Sequence, residues 1–477
     1  MQGRAFFQCV LALCLGWATL GHAQAPVDAR QKNVELIKEK QALHIGTLAY
    51  LWGFPIVDLS RQMHNETHRV APAQAVLAPV NQFFYNQNLI TPETAGELRA
   101  PNSDTLYLSG WFDLSKEPVV VQAPDTAGRY YTLAVTDFFN EVTHLGRRTT
   151  GTQAQAFALV GPKWQGTLPA GVKPVKMATQ KVWILGRLAV TGEPDLPAAR
   201  ALLQKFSSAP LSVWQANQAN QAGQAEQSKP QPVPAEAAKA EPLGSLVYFE
   251  WLNRWLQDNA PRPGEEALVR MFDQIGLGPH SKFKTDALDA ATRRGLEAAI
   301  AEAQALLRAS SQQPLPDVRN GWIFPLGLAD YGENYLMRAS VAAGGYANRP
   351  EETVYAARTV DERGQLMTGK NRYRIRFAPG TLPPVGAFWS ISAYDLRTFS
   401  LIPNSARRFA IGDRTPGLLR ETDGSLVIDV SSQPPPRGSA NWLPVSDAPF
   451  SLIVRMYEPD RAILDGRYRL PPLELTD

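Results

Sequence analysis

Residues 101–121, PNSDTLYLSGWFDLSKEPVVV, decide the fold class of this 477-residue chain. Residues 102–104, Asn-Ser-Asp, are typical of a turn, because their short side chains bond to their own backbone. Two strand-like runs follow, Thr105–Phe112 and Pro118–Ala123, with a second polar turn between them. Short strands separated by turns continue to about residue 190, a pattern that favours a β-sandwich or a barrel.

Helical patterns lie on both sides of this strand-rich region. Residues 31–62 carry apolar side chains at helical spacing, and Pro55 predicts either two helices or a kink there. Residues 243–340 are helical in pattern, and residues 341–477 return to short strands. Residues 211–242 are rich in Gln, Ala and Pro, a composition that cannot bury enough apolar surface to become ordered. We therefore predict a disordered linker at 211–242.

The first 25 residues have the pattern of a secretory signal peptide. Arg4 precedes an apolar run, and residues 23–25 form an Ala-Gln-Ala cleavage site. The alternatives are a membrane anchor, for which the run is short, and a lipoprotein, whose modified cysteine would follow a small residue, unlike Cys14. Cys9 and Cys14 both lie inside this segment, so cleavage removes every cysteine. The mature protein would then lack disulfides and thiol chemistry.

The charge balance and the motifs limit the class of partner. The chain has 48 Lys and Arg against 45 Asp and Glu, a net charge of +3, which is too balanced to suggest a nucleic-acid partner. No later apolar run reaches the ~18 residues of a membrane span. Residues 364–370, GQLMTGK, begin like a phosphate-binding loop, but Asn371 replaces the required Ser or Thr. We expect no nucleic acid, no membrane contact after cleavage and no cofactor, and an unknown small molecule or polymer as partner.

Two histidines are weak candidates for metal ligands. His64 and His68 are four residues apart, so on a helix they would share one face. Glu66 between them would point away, which differs from the zinc-protease pattern. The surrounding segment is polar, and solvated histidines are the alternative interpretation. We predict no metal site beyond this pair.

The polar residues around the first strands supply candidate catalytic groups. Carboxylates and arginines lie at neighbouring strand ends, where such pairs either orient a substrate carboxylate or form structural ion pairs. In a hydrolase, an Asp would act as general base while Arg or Tyr stabilises developing negative charge. The candidate catalytic residues are Asp104, Tyr107, Arg129, Asp137 and Arg147.

A second set of residues consists of polar and aromatic side chains that could meet a ligand. Aromatic residues at strand positions usually belong to the core, but a Trp beside an Asn at a sandwich edge can stack on a flat ligand. Both interpretations stay open. The candidate ligand-binding residues are Asn102, Trp389, Asp395, Asn441 and Trp442.

Several long blocks of the sequence resemble a known pair of bacterial domains. The runs PNSDTLYLSGWFDLSKEPVVV (101–121) and GRYYTLAVTDFFNEV (128–142) resemble the domain of unknown function 1254. The runs NRYRIRFAPGTLPPVGAFWSISAYD (371–395) and FSLIVRMYEPD (450–460) resemble its usual companion, the domain of unknown function 1214. The resemblance implies two jelly-roll-like β-sandwich domains with helical additions. It implies no catalytic role, because the activity of the family is not established.

We therefore predict an α+β, mainly β protein in which a helical segment joins two jelly-roll-like β-sandwich domains. The first domain, with its N-terminal helices, spans 26–210, and the second spans 341–477. We expect an exported soluble protein, periplasmic or secreted, that binds a ligand or has a structural role. The alternative is a secreted hydrolase that uses the Asp/Arg/Tyr cluster of the first domain. A homo-oligomer stays open, by fold analogy only.

Expression in a bacterial host with export should yield a mature chain that begins at Pro26. Signal peptidase requires small residues at the third and the first position before the cut, which here are Ala23 and Ala25. Intact-mass measurement of the exported protein checks this site. Ala23→Leu should block the cleavage. A mature mass that still includes Cys9 would contradict the prediction.

Overall fold

The computed structural model describes residues 27–70, 78–95, 100–219, 235–236, 242–310 and 317–476. The predicted signal peptide and most of the predicted linker lie outside these residues. The helices are α1 (Val27–Thr67), α2 (Arg147–Thr150), α3 (Leu196–Leu203), α4 (Leu211–Ala219), α5 (Val247–Asp258), α6 (Glu266–Phe272), α7 (Ala290–Ser310), α8 (Tyr335–Gly344) and α9 (Arg461–Leu464). Short 3₁₀ turns lie at Glu193–Asp195, Asp273–Ile275 and Thr285–Ala287.

The strands alternate with these helices in blocks. They are β1 (Arg69–Val70), β2 (Phe83–Tyr85), β3 (Thr105–Asp113), β4 (Val119–Ala123), β5 (Tyr131–Asp137), β6 (Val142–Gly146), β7 (Gln155–Val160), β8 (Val172–Lys176), β9 (Lys181–Ala189), β10 (Ser207–Pro210), β11 (Ala235–Glu236), β12 (Val318–Arg319), β13 (Trp322–Ile323), β14 (Thr353–Arg358), β15 (Arg372–Phe377), β16 (Val385–Asp395), β17 (Ala410–Gly412), β18 (Leu426–Ser431), β19 (Trp442–Pro444), β20 (Phe450–Pro459) and β21 (Leu473–Thr476).

The first β domain is a sandwich of two sheets. Its five-stranded sheet has the order β2-β3-β9-β5-β6, and its four-stranded sheet has the order β10-β4-β7-β8. Leu108 and Ile184 from the first sheet pack against Val121 and Leu159 from the second. Because side chains alternate along a strand, every second residue of β3 and β9 faces away from this core. Those outward residues matter for the functional site.

The second β domain repeats the sandwich design. A six-stranded sheet, β12-β13-β14-β20-β16-β17, covers a four-stranded sheet, β19-β18-β15-β21. Trp389 and Val454 from the larger sheet share a core with Phe377 and Ile428 from the smaller one. The predicted fold class, an α+β, mainly β fold with two β-sandwich domains, is confirmed.

A helical layer packs beside the first domain. The long helix α1 contacts α5, α7 and α8, and Trp52 and Leu252 are buried in their common core. Trp111 and Trp183, on the outward face of the first domain, belong to the same core. One helical stretch, Ala29–Thr67, is long and apolar enough to cross a membrane, but 83% of its most apolar window is buried inside the protein. That burial is typical of a core helix.

The helix α1 tests one of the two alternatives predicted at Pro55, the division into two helices, which is wrong. It continues through Pro55 instead of dividing into two helices there. Proline inside a helix removes one hydrogen bond and costs about 3 kcal/mol. Phe54, Ile56 and Val57 beside it are all buried. Their burial outweighs the loss of the hydrogen bond.

Two segments correct the predicted domain boundaries. The first nine residues of the predicted linker form α4, because Leu211 is buried and packs near Trp214. Within the segment predicted as helical, β12 and β13 form a hairpin that joins the sheet of the second domain. Asn320 and Gly321 connect them, both with positive φ. An Asn-Gly pair favours this two-residue turn.

Substitution of Gly295 by Ala should destabilise the protein by about 1–3 kcal/mol, because an added methyl group overpacks a tight contact. A Cβ atom there would lie 2.3 Å from the carbonyl oxygen of Glu39 in α1. Gly344→Ala, at the end of α8 with open space around it, is the control. Urea unfolding measures both free energies. Equal effects at the two positions would show that α1 and α7 are not closely packed.

Candidate functional site

Polar side chains from both sandwiches meet between the two β domains. Tyr107 in β3 pairs with Arg187 in β9 on the outward face of the first domain. Across from them, Tyr355 in β14 pairs with Arg455 in β20. We call the set of six tyrosines and arginines in this region the polar layer. Its members are Tyr107, Arg187, Tyr355, Tyr394, Arg455 and Tyr457.

In the part of the chain that the structure describes, the two arginines of the polar layer have no acidic partner. The Nη1 of Arg187 donates to Oδ1 of Asn348 at 3.1 Å, and its guanidinium lies 5.5 Å from the ring centre of Tyr107. Arg455 is 4% exposed, and its Nη1 donates to the hydroxyl of Tyr394 at 2.7 Å. Within the described residues, neither guanidinium makes an ion pair with a carboxylate. Burying a charge without a counter-charge is strongly unfavourable.

Tyr394 and Tyr457 are neutral at neutral pH, while the two arginines are charged. Burial lowers the pKa of Arg187 and of Arg455, but the surrounding tyrosines outweigh it, and both pKa values are raised. Burial raises the pKa of Tyr394 and of Tyr457. At neutral pH the layer therefore combines two positive charges with hydroxyl groups that can donate hydrogen bonds.

The segment that opens β3 ties the two domains together. The side-chain amide of Asn102 donates to the hydroxyl of Tyr457, and its backbone N–H donates to the hydroxyl of Tyr107 at 3.2 Å. The hydroxyl of Tyr394 donates to the carbonyl of Pro101 at 2.7 Å. The predicted ligand-binding residue Asn102 thus lies at the edge of the polar layer. It positions two of the tyrosines.

A second connection runs through Glu352, just before β14. Its carboxylate is buried and accepts hydrogen bonds from the hydroxyl of Tyr130 and from Nε of Arg148, both at 2.8 Å. Both donors belong to the first domain. The two sandwiches are therefore held together by buried polar contacts as well as by packing.

His144 is a neutral histidine beside this connection. It is 5% exposed, its Nε2 accepts from the backbone N–H of Arg349 at 3.3 Å, and its Nδ1 faces the hydroxyl of Thr132 at 3.1 Å. These contacts assign the proton to Nδ1. Burial, reinforced by the charges of Arg148, Arg187 and Arg349, lowers the pKa of His144 to about 3.

The structure does not bring the predicted catalytic residues together. Asp104 accepts a hydrogen bond from the hydroxyl of Ser390 in the second domain at 2.6 Å. Arg129 forms a two-pronged ion pair with Asp195, with N–O distances of 2.5 and 2.6 Å. These two residues stabilise the fold locally, which is the structural alternative that the sequence left open.

The other three candidates lie in different places. Tyr107 belongs to the polar layer, and Arg147 pairs with Glu458 at 3.4 Å and donates to the carbonyl of Gly386. Asp137 lines a separate cleft near the helical layer. The single hydrolase cluster predicted from sequence is thus divided, because neighbouring strand ends direct these side chains to opposite faces and ends of the sheet.

The other four predicted ligand-binding residues make their contacts within the second domain. Trp389 is 2% exposed in its core, and Nε1 of Trp442 donates to the carbonyl of Ser431. The side chain of Asn441 bonds only backbone groups of nearby strands and loops. Asp395 accepts from the following turn, at Arg397 and Thr398. These contacts support the core interpretation.

The two candidate metal ligands lie at the end of α1. The rings of His64 and His68 stack with centres 4.7 Å apart, and Nδ1 of His68 contacts the carbonyl of His64. Among the residues that the structure describes, no group of three or more His, Cys, Asp or Glu could hold a metal ion.

The sequence analysis missed the arginines of the polar layer. Arg187 and Arg455 each interrupt an apolar strand, in KVWILGRLA and FSLIVRMYEP. Arginine is rarely buried without a partner, so an Arg in the middle of an apolar strand is a usable signal. Strand alternation would also have placed Tyr457 on the same face as Arg455.

The fold and the polar layer define a two-domain β-sandwich protein with a charged interdomain surface. Residues 80–210 match the family described as "Protein of unknown function (DUF1254)", and residues 352–461 match "Protein of unknown function (DUF1214)". The chain therefore pairs these two domains, and the predicted pairing is confirmed. A comparison with curated proteins gives no match.

A solved structure shows the same fold. The VPA0106 protein from Vibrio parahaemolyticus is 24% identical, with a TM-score of 0.68 over 91% of this chain and 100% of that chain. An uncharacterized protein from Burkholderia cenocepacia is 12% identical over 94% of this chain and 96% of that chain, with a TM-score of 0.42. Only the similarity to the VPA0106 protein supports the fold.

His144 should make the protein sensitive to acid. Because its pKa is lowered in the folded state, its stabilising contribution is present above the unfolded pKa of about 6.5 and is lost as pH falls toward 3. In this window the unfolding free energy of the wild type should fall by about 1.4 kcal/mol per pH unit relative to His144→Gln. His280→Gln, at an exposed position, is the control. Parallel pH profiles for wild type and His144→Gln would contradict a neutral buried His144.

Proposed function

We propose that this protein is an exported binding protein for a small anionic ligand, held by a carboxylate or phosphate group in the polar layer. The observation that carries the proposal is the pair of arginines, Arg187 and Arg455, without an acidic partner among the described residues. A bound anion would supply the missing counter-charge. Arginine is well suited to this role, since its planar donors match carboxylate and phosphate oxygens.

The surroundings of the arginines favour a ligand site over a purely structural contact. Arg187 and Tyr355 remain only half-buried although they lie between two sheets, so part of their surface is accessible. The hydroxyls of Tyr394 and Tyr457, whose pKa values are raised by burial, would donate to an anion and not compete with it. Each domain provides one of the two arginines, so a bound anion would bridge the domains.

Export is the second part of the proposal. The apolar run after Arg4 and the small residues at 23–25 support it. An exported binding protein meets its ligand outside the cytoplasm, and the cysteine-free mature chain suits an oxidising compartment.

The polar layer predicts anion binding that depends on Arg187. Succinate, citrate and phosphate should each be tested for a rise in the melting temperature of the full-length protein, followed by calorimetric titration of the best probe. We expect Arg187→Gln and Arg455→Gln to weaken binding at least tenfold, about 1.4 kcal/mol. Arg187→Lys should retain part of the affinity, because it keeps the charge but not the paired donors.

Arg461→Gln is the matched control, since that side chain is 87% exposed, pairs with Asp465 and is not a member of the polar layer. It should bind the probe like the wild type. The proposal fails if no anion of the panel binds, or if Arg187→Gln binds as tightly as Arg461→Gln.

A further inference from the structure

A cleft of about 400 Å³ lies where the turn between β5 and β6 meets loops of the helical layer. It is separate from the polar layer, none of whose six residues lines it. Its charged lining residues are Asp137, Glu141, Lys176, Arg262 and Asp330. The function proposed above uses none of them.

Asp137 is the buried group of this cleft. It is 4% exposed, and its Oδ1 accepts from the backbone N–H groups of Phe139 at 2.9 Å and Glu141 at 3.0 Å. Its Oδ2 makes no hydrogen bond within the described part of the chain, and Asp137 is one of the residues that line the cleft. Burial raises the pKa of Asp137 to about 7, so its proton is exchanged near neutral pH.

The basic groups around Asp137 are engaged elsewhere or lie at the rim. Arg262 pairs with Glu141 at 2.8 Å and approaches Glu265 at 3.6 Å. Lys176 is exposed. Asp330, whose side chain is 79% exposed, contacts only Arg349, at 3.9 Å, among the ion pairs of the described residues. With Asp137 ionised, the cleft lining carries three carboxylates against two basic side chains, and Asp330 and Lys176 lie at its exposed rim.

We propose that this cleft binds an organic ammonium group, with Oδ2 of Asp137 accepting its N–H and Asp330 attracting it at the rim. The ammonium keeps its proton, and Asp137 releases its own to the solvent. An N–H donor on an ionised carboxylate is a charge-assisted hydrogen bond, which is about twice as strong as a neutral one. A metal ion fits less well, because the described residues contain no group of three acidic or histidine ligands.

Calorimetric titration of the full-length protein with butylammonium tests this site. Because only ionised Asp137 accepts the ammonium, affinity should be about tenfold higher at pH 8 than at pH 6. At pH 6 binding should release about 0.9 proton, measured in two buffers of different ionisation enthalpy. Butanol has the same carbon chain without the charge and should bind at least tenfold more weakly.

Two substitutions assign the roles. Asp137→Asn has the same shape and can still accept the two backbone N–H groups, so it should fold while losing both the pH dependence and at least tenfold in affinity at pH 8. Asp330→Asn, at the rim, should weaken binding a few-fold and keep the pH dependence. Glu302→Gln, at an exposed position outside the cleft, is the control and should bind like the wild type.

Several outcomes would overturn the proposal. These are the absence of butylammonium binding at millimolar concentration, equal binding of butanol, and unchanged binding in Asp137→Asn. If Asp137→Asn does not fold, two other measurements test the site: the proton release of the wild type on binding, and the loss of affinity in Asp330→Asn. No proton release with an unaffected Asp330→Asn variant would also reject the site.

Discussion

The two guanidinium charges of Arg187 and Arg455, which lie between the sandwiches, are the constraint on which the arrangement of the two domains depends. Each sandwich has an apolar inner face and an outer face that carries tyrosine, arginine and asparagine. Such an outer face could stay in water, yet here two of them meet. Asn102 and Glu352 connect them through hydrogen bonds, so the hydroxyl groups are satisfied although the guanidinium charges are not. These hydrogen bonds therefore fix how the two domains contact each other, while the two guanidinium groups have no carboxylate partner among the described residues.

Three buried groups stabilise the fold less than apolar residues of similar size would. His144 is kept neutral, Asp137 holds its proton up to about neutral pH, and Arg455 is charged with no carboxylate partner among the described residues. Structural ion pairs elsewhere, such as that of Arg129 with Asp195, are complete. The contrast separates residues that hold the fold from residues that are available to a ligand. Unfavourable burial of this kind is common at functional sites.

The sequence predicted the fold better than it predicted the site. Strand alternation and turn residues located both sandwiches, because those signals are local. The hairpin around Asn320 was missed although its Asn-Gly turn is also a local signal. The site was missed for another reason. Asp104, Arg129 and Asp137 are close in sequence, but Asp104 meets Ser390, 286 positions away, and Asn348, which accepts a hydrogen bond from Arg187, comes from the second domain. A contact between residues of two different domains leaves no pattern in the sequence around either residue.

The helix α1 has a consequence for how the chain reaches this fold. Its Glu39 pairs with Arg294, 255 positions later in the sequence. At a synthesis rate of about 5–20 residues per second, the partner helix follows roughly 13–51 s after α1. During that time α1 lacks α7, the helix with which it shares its most extensive contact. Folding of the helical layer is therefore delayed until more than half of the chain exists, and a nascent chain of this protein must be kept from aggregating for tens of seconds.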